Sequence, residues 1–276
     1  MGRPVSRAAE RLRCPEGGCR CAEPWLTAGV DPHPFGYPGA VRRALVVFAH
    51  PDDAEFLCGG TVAAWTREGT EVRYLCATDG AAGWNGPDLT RSQIGEIRGR
   101  EMRAAADVLG VADVRFLGYP DGTLEPNLEL RKDVTREVRR SRPDVVVTFD
   151  PSIRWMGRRY VNHPDHRALG ETVLAVVACD APTRPQFPEL LDEGLEPFEV
   201  PELWLATEAE EADTKVDIGD TLDLKVKALE AHRSQMENMG EDDIGERMRT
   251  WASRMAADEA FGYGEGFRTF DFRERD

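Results

Sequence analysis

The chain has 276 residues and a mass of 30.7 kDa, with 41% hydrophobic and 31% charged residues; this excludes disorder throughout and suits one large α/β domain, with or without an appendage. Fifty Asp and Glu against 35 Lys and Arg give a net charge of −15, so the surface repels phosphate backbones and nucleic acid is not an expected partner. No apolar run reaches the ~18–20 residues of a membrane span, and the first residues lead into a charged stretch instead of a signal-peptide core; a cytoplasmic protein without membrane contact is expected.

Residues 1–40 are Pro-rich without periodicity and read as an irregular N-terminal extension, followed by one domain over 41–276. The continuous apolar run 44–49 predicts a strand buried on both faces. A helix over 59–68 stops at Gly69, and a second strand spans 72–77. A long helix over 92–109 ends on Gly110, a C-terminal cap. Strand 114–117 leads into the turn Tyr119-Pro120-Asp121-Gly122, then a helix over 128–141 and a strand over 144–149. A helix from 166 to about 179 precedes the Pro-rich acidic loop 181–201, and 203–206 is a later strand. Residues 221–237 and 241–257 read as amphipathic helices, and 267–272 alternates as a strand. The repeated strand–helix–strand order predicts a Rossmann-like three-layer α/β sandwich with a mostly parallel sheet.

Of the six cysteines, Cys58, Cys76 and Cys179 fall in apolar segments, where a free Cys is usually a small buried hydrophobe. Cys14, Cys19 and Cys21 could form half of a zinc site, but no fourth ligand stands at finger-like spacing, and an irregular tail is the better reading.

In open parallel sheets, ligands bind beyond the carboxyl ends of the strands. Two loops there are rich in ligand-type side chains: His50-Pro51-Asp52-Asp53-Ala54-Glu55, and Asp150 with His163-Pro164-Asp165-His166. Three of the five histidines lie in them. His50, His166 and Asp53 supply the two-imidazole, one-carboxylate set of a catalytic zinc or ferrous site with open positions. Asp52 could serve as general base. His163, one turn from His166, could stabilise an oxyanion or protonate a leaving amine, with Asp165 holding its tautomer. The bland alternatives are that Asp52 and Asp53 cap a helix, and that His163 and His166 are surface groups opening one.

The two His/Asp motifs resemble the PIG-L/LmbE-like family of metal-dependent N-deacetylases. Supporting matches are Thr78-Asp79-Gly80, Arg98-Gly99-Arg100-Glu101, Leu109-Gly110-Val111, Tyr119-Pro120-Asp121-Gly122 and Leu229-Glu230-Ala231-His232-Arg233-Ser234-Gln235, so the resemblance runs from about 42 to 235. It implies an LmbE-like fold, zinc on His50, Asp53 and His166 (ferrous iron shares this ligand set), Asp52 as base, and His163 as the electrophilic or acid histidine oriented by Asp165. It also implies Arg98 and Asp121 as contacts to the sugar of an N-acetylglucosaminyl small molecule. Read from the residues alone, an Arg in a long helix is a solvated face and an Asp-Gly pair a turn. Glu55, offset by Ala54, has no assigned role. The Arg-rich loop 151–162 could bind a sugar face or an anionic aglycone, or be a solvated lid.

The expected activity is removal of an acetyl group from an N-acetylglucosamine-containing small molecule. The alternatives are amide hydrolysis of a mycothiol-type thiol conjugate, or a catalytically inactive sugar-binding relative. A nucleotide-binding Rossmann protein is disfavoured, because carboxylates replace Gly-x-Gly-x-x-Gly in the first loop. A homo-oligomer is left open, since the helices over 221–257 could form an interface as easily as a core layer.

Overall fold

The apolar runs near 44 and 144 form the two central strands of a seven-stranded sheet. The structure, a computed structural model, describes residues 41–273 apart from 85, 87, 159 and 240–242; the expected 1–40 extension, with Cys14, Cys19 and Cys21, lies outside the described residues. In chain order come β1 (Arg43–Phe48), α1 (Asp53–Arg67), β2 (Glu71–Thr78), α2 (Arg91–Leu109), β3 (Asp113–Tyr119) and α3 (Leu128–Ser141). Then follow β4 (Val145–Phe149), the short hairpin β5 (Trp155–Met156) and β6 (Tyr160–Val161), α4 (Pro164–Ala175) with a π-helical turn over Val176–Asp180, and α5 (Glu189–Asp192). The last third holds β7 (Glu202–Ala206), β8 (Thr214–Asp217), α6 (Leu222–Glu230), α7 (Arg233–Met239), α8 (Ile244–Met255) and β9 (Gly264–Asp271). No helix among the described residues is long and apolar enough to cross a membrane.

The sheet order is β3-β2-β1-β4-β7-β9-β8, parallel from β3 to β7 and antiparallel at both pairings of β9. Right-handed crossovers place α1 and α2 on one face. After β3 the chain returns to pair β4 on the far side of β1, so the direction reverses and α3 and α4 cover the other face. The order switches between β1 and β4, and a crevice opens at their carboxyl ends. β1 beyond its first residue and all of β4 are buried, as strands covered on both faces should be.

Several boundaries differ from the expectations. α1 starts at Asp53, six positions before the predicted 59, because Cys58 (φ −143°, ψ 21°) breaks a continuous helix into two. The break denies Gly60 and Thr61 their helical acceptors, and one buried ion pair replaces them. Glu265 of β9 accepts from both N–H groups (2.9 and 2.7 Å) and from Thr61 Oγ1 (2.6 Å). Lys225 of α6 donates to Glu265 (2.6 Å) and to the freed Phe56 carbonyl (2.8 Å). Gly60 is required there, since a Cβ would lie 2.7 Å from Ile218. The helix expected over 221–237 is divided between α6 and α7 at Ala231 and His232, and the His232 side chain is fully buried against Glu55 of α1 (3.1 Å). Cys58 and Cys76 are buried as expected, but Cys179 is exposed, because it lies in the π-turn on the side away from the core. β8 was absent from the predicted elements, as was the hairpin inside the Arg-rich loop.

Candidate active site

The crevice between β1 and β4 collects the His/Asp motifs. After β1 the chain turns through His50, Pro51 and Asp52 into α1. Asp52 takes φ 117°, a left-handed backbone unusual for a side-chain-bearing residue, and makes no side-chain cap bond to the helix it precedes. Such a conformation costs on the order of 1–3 kcal/mol and persists only where the surroundings enforce it. Here Arg98 of α2 enforces it from beneath: its guanidinium donates to the Pro51 carbonyl (2.6 Å), the Gly80 carbonyl (2.6 Å) and the Asp52 carboxylate (3.2 Å). Helix capping therefore does not account for Asp52.

The second motif is built locally. Pro164 opens α4, and His163 caps it by accepting the Asp165 N–H at Nδ1 (3.2 Å). His166 lies one turn on. Its ring stacks on Phe149 at the end of β4 (centroids 4.1 Å apart, 8° between planes), and its Nδ1–H donates to Asn162 Oδ1 (3.0 Å), leaving Nε2 free as a ligand.

Between the motifs, His50 Nδ1, His166 Nε2 and the Asp53 carboxylate lie 3.2 Å apart pair by pair, with Asp53 using one oxygen toward each histidine. Ligands bound at ~2.0 Å to a tetrahedral ion are separated by about 3.3 Å, so this set fits a metal. His50 also groups with His163 and His166, and with Asp121 and Asp165, at separations a metal could bridge. Asp121 (3.1 Å) and Asp165 (3.3 Å) meet the other nitrogen of His50, Nε2, where carboxylates behind a ligating imidazole belong. Electrostatics agree. Burial opposes charge on His50, yet Asp53, Asp121 and Asp165 outweigh it and raise its pKa well above the ordinary value. Burial would raise the Asp53 pKa, but His166 and His50 pull it well below the carboxylate range. Three carboxylates gathered around His50 make the pocket anionic, which suits a divalent cation.

The neighbouring acid–base groups are tuned differently. Burial pushes the Asp52 carboxyl up to about 6, against the pull of Arg98 and with Asp53 adding to the rise. Burial, then the nearby His50, lowers the His163 pKa, so His163 is neutral, with Nδ1 accepting and Nε2–H the donor.

Asp165, Arg98 and Asp121 have the following partners. The Asp165 carboxylate does not hold His163: it accepts from the backbone of Gly122 (2.8 Å) and Leu124 (3.1 Å) and faces His50, while its own N–H orients the His163 ring. Arg98 is only 3% exposed and donates to the Pro51 and Gly80 carbonyls. Asp121 likewise turns inward, to His50 and to the Ala82 N–H (2.9 Å). Sequence reasoning did not single out Asn162, although it directly precedes His163, nor the Glu55–His232 pair, for which a Glu and a His 177 positions apart gave no signal.

Comparisons with known proteins give the family. Residues 45–177 match the PIG-L family, described as GlcNAc-PI de-N-acetylase. A probable N-acetyl-alpha-D-glucosaminyl L-malate deacetylase 2 of Bacillus anthracis is 34% identical over 70% of this chain and 81% of its own length. The diacetylchitobiose deacetylase of Thermococcus kodakarensis is 30% identical, covering 83% of each chain. The solved N,N'-diacetylchitobiose deacetylase of Pyrococcus horikoshii superposes with a TM-score of 0.77, at 33% identity and 84% coverage of each chain. With the two His/Asp loops meeting at the switch point of the sheet, the chain belongs to the PIG-L family of N-deacetylases.

Proposed function

We propose that this protein is a zinc-dependent hydrolase that removes the acetyl group from an N-acetylglucosamine-containing small molecule, with His50, Asp53 and His166 as metal ligands. Two imidazole nitrogens 3.2 Å apart, each 3.2 Å from one oxygen of the Asp53 carboxylate, carry the reading. Zinc in such a site supplies Lewis acidity and lowers the pKa of a water toward ~7.

The chain's own residues then do the following. Asp52, with its carboxyl raised to about 6, takes the proton of the attacking water as the oxygen adds to the acetamide carbon. His163, neutral and carrying its proton on Nε2, donates a hydrogen bond to the developing oxyanion, while the proton held by Asp52 passes to the departing amine; an oxyanion donor of this kind contributes roughly 10²–10³ in rate. Collapse breaks the C–N bond and releases acetate and the free amine. Asp121 and Asp165 orient His50, Asn162 orients His166, and Arg98 fixes the loop that presents Asp52. The names of the relatives, which pair deacetylation with malate and chitobiose conjugates, support an amino-sugar substrate over a thiol conjugate.

The test compares purified wild type with His166→Ala by elemental analysis and by acetate release from N-acetylglucosaminyl compounds. The expected result is zinc near one per chain and turnover in the wild type, both lost in the variant. Protein that takes up no metal after incubation with zinc would overturn the ligand assignment.

A further inference from the structure

A cavity of about 800 Å³ adjoins the candidate active site, and Asp53 and His166 form part of its wall. From there it runs under α8 and along β9. Asp52, His163, Asp121 and Arg98 are not on its wall, so it extends from the metal ligands away from the base. Its lining is largely apolar: Phe56 and Leu57 from the first turns of α1, Ile153 from the loop after β4, and Met248, Trp251 and Met255 from α8. The α8 residues recur at spacings of three and four, so one face of the helix roofs the space. Of the charged residues on the wall, Lys225 and Glu265 are buried and paired at 2.6 Å, with the Lys225 ammonium also 5.1 Å from the Trp251 ring centre, whereas Asp243, Glu246, Arg247 and Arg254 are exposed. Asp150, also buried on the wall, faces Arg268 at 3.3 Å, so these buried charges are answered within the protein and the buried stretch between them is apolar.

The acetyl methyl that the reaction releases occupies about the ~30 Å³ of a water molecule and cannot account for this volume. On an N-acetylated amino sugar the aglycone is attached one carbon from the amide. We propose that the cavity under α8 receives the aglycone, and that this aglycone is an apolar alkyl or aryl group. This rests on the deacetylase reading above. The two methionines, flexible and polarisable, suit an apolar body of variable shape, and the volume falls within the ~300–1,000 Å³ of small-molecule sites.

The test uses the zinc-loaded full-length chain and follows release of free amine from N-acetylglucosamine, its hexyl glycoside, N,N'-diacetylchitobiose and N-hexanoylglucosamine. The hexyl glycoside is expected to exceed free sugar and chitobiose in kcat/KM by about tenfold or more, since burial of two methylenes suffices for that. Trp251→Ala and, because that change also removes the contact to Lys225, Ile153→Asp as an independent variant should each erase most of the advantage. Equal kcat/KM across aglycones overturns the proposal. So does a preference for N-hexanoyl over N-acetyl, which would give the cavity to the acyl chain. A second readout needs no turnover: hexyl glucoside, which lacks the amide, should bind saturably by calorimetry to wild type and weakly to Ile153→Asp. If no substrate is hydrolysed, the deacetylase reading fails by itself; saturable hexyl glucoside binding then upholds the apolar site, and its absence overturns that too.

Discussion

The two loops that make the candidate site reach their geometry by opposite means. The 162–166 segment is relaxed and local: proline at the first turn of α4, His163 capping, Asn162 holding the ring four residues ahead. The 50–53 loop is strained at Asp52 and enforced by Arg98, 46 residues away in sequence. The relaxed loop supplies a ligand that needs only the right direction. In the proposed mechanism the strained loop presents a base, Asp52, and a ligand, Asp53, on consecutive residues that must point apart.

The comparison can be broken most strongly at the base. Asp52→Asn should lower kcat/KM by about 10²–10⁴ with metal content unchanged; loss of zinc alongside activity would show that the two carboxylates do not divide the labour as described. Next comes the support of the strained loop. Arg98→Met removes two carbonyl bonds and the partner of a buried carboxylate, and should destabilise the fold by roughly 3 kcal/mol in a denaturant titration while cutting turnover about 10²-fold. Asn162→Ala tests the relaxed loop: zinc affinity, measured by chelator competition, should fall about 10–100-fold with little change in stability. The smallest effect isolates strain. Asp52→Gly and Asp52→Ala both lack the carboxylate, and the glycine variant should be the more stable by about 1 kcal/mol; equal melting would mean the φ of 117° carries no penalty.

Much of this was legible beforehand, for physical reasons that also mark the limit. β1 and β4 are buried on both faces and so announce themselves as unbroken apolar runs, and α2 and α3 carry their own caps at Thr90, Gly110 and Asn127. β8, Thr214-Lys215-Val216-Asp217, is an edge strand with one fully buried residue, and its pattern is too short and polar to stand out. The start of α1 was hidden because the kink at Cys58 is made good by Lys225 and Glu265, more than 160 residues away. The residues proposed as metal ligands stand out in the sequence because the chain writes them in two short motifs. The destinations of Arg98 and of the Asp165 carboxylate do not, because residue type says what a group can bond and only the fold says what is near.

The dependence of α1 on Glu265 also sets an order of events during synthesis. β9 is the last of the described strands in chain order, and it inserts between β7 and β8 instead of adding at an edge. Until it arrives, β7 and β8 each offer an open edge, Lys225 has no counter-charge, and the N–H groups of Gly60 and Thr61 have no acceptor. The helix that presents Asp53 is thus completed by residues translated some 200 positions later. A chain cut short before Gly264 would carry both His/Asp motifs and still lack the groups that complete α1.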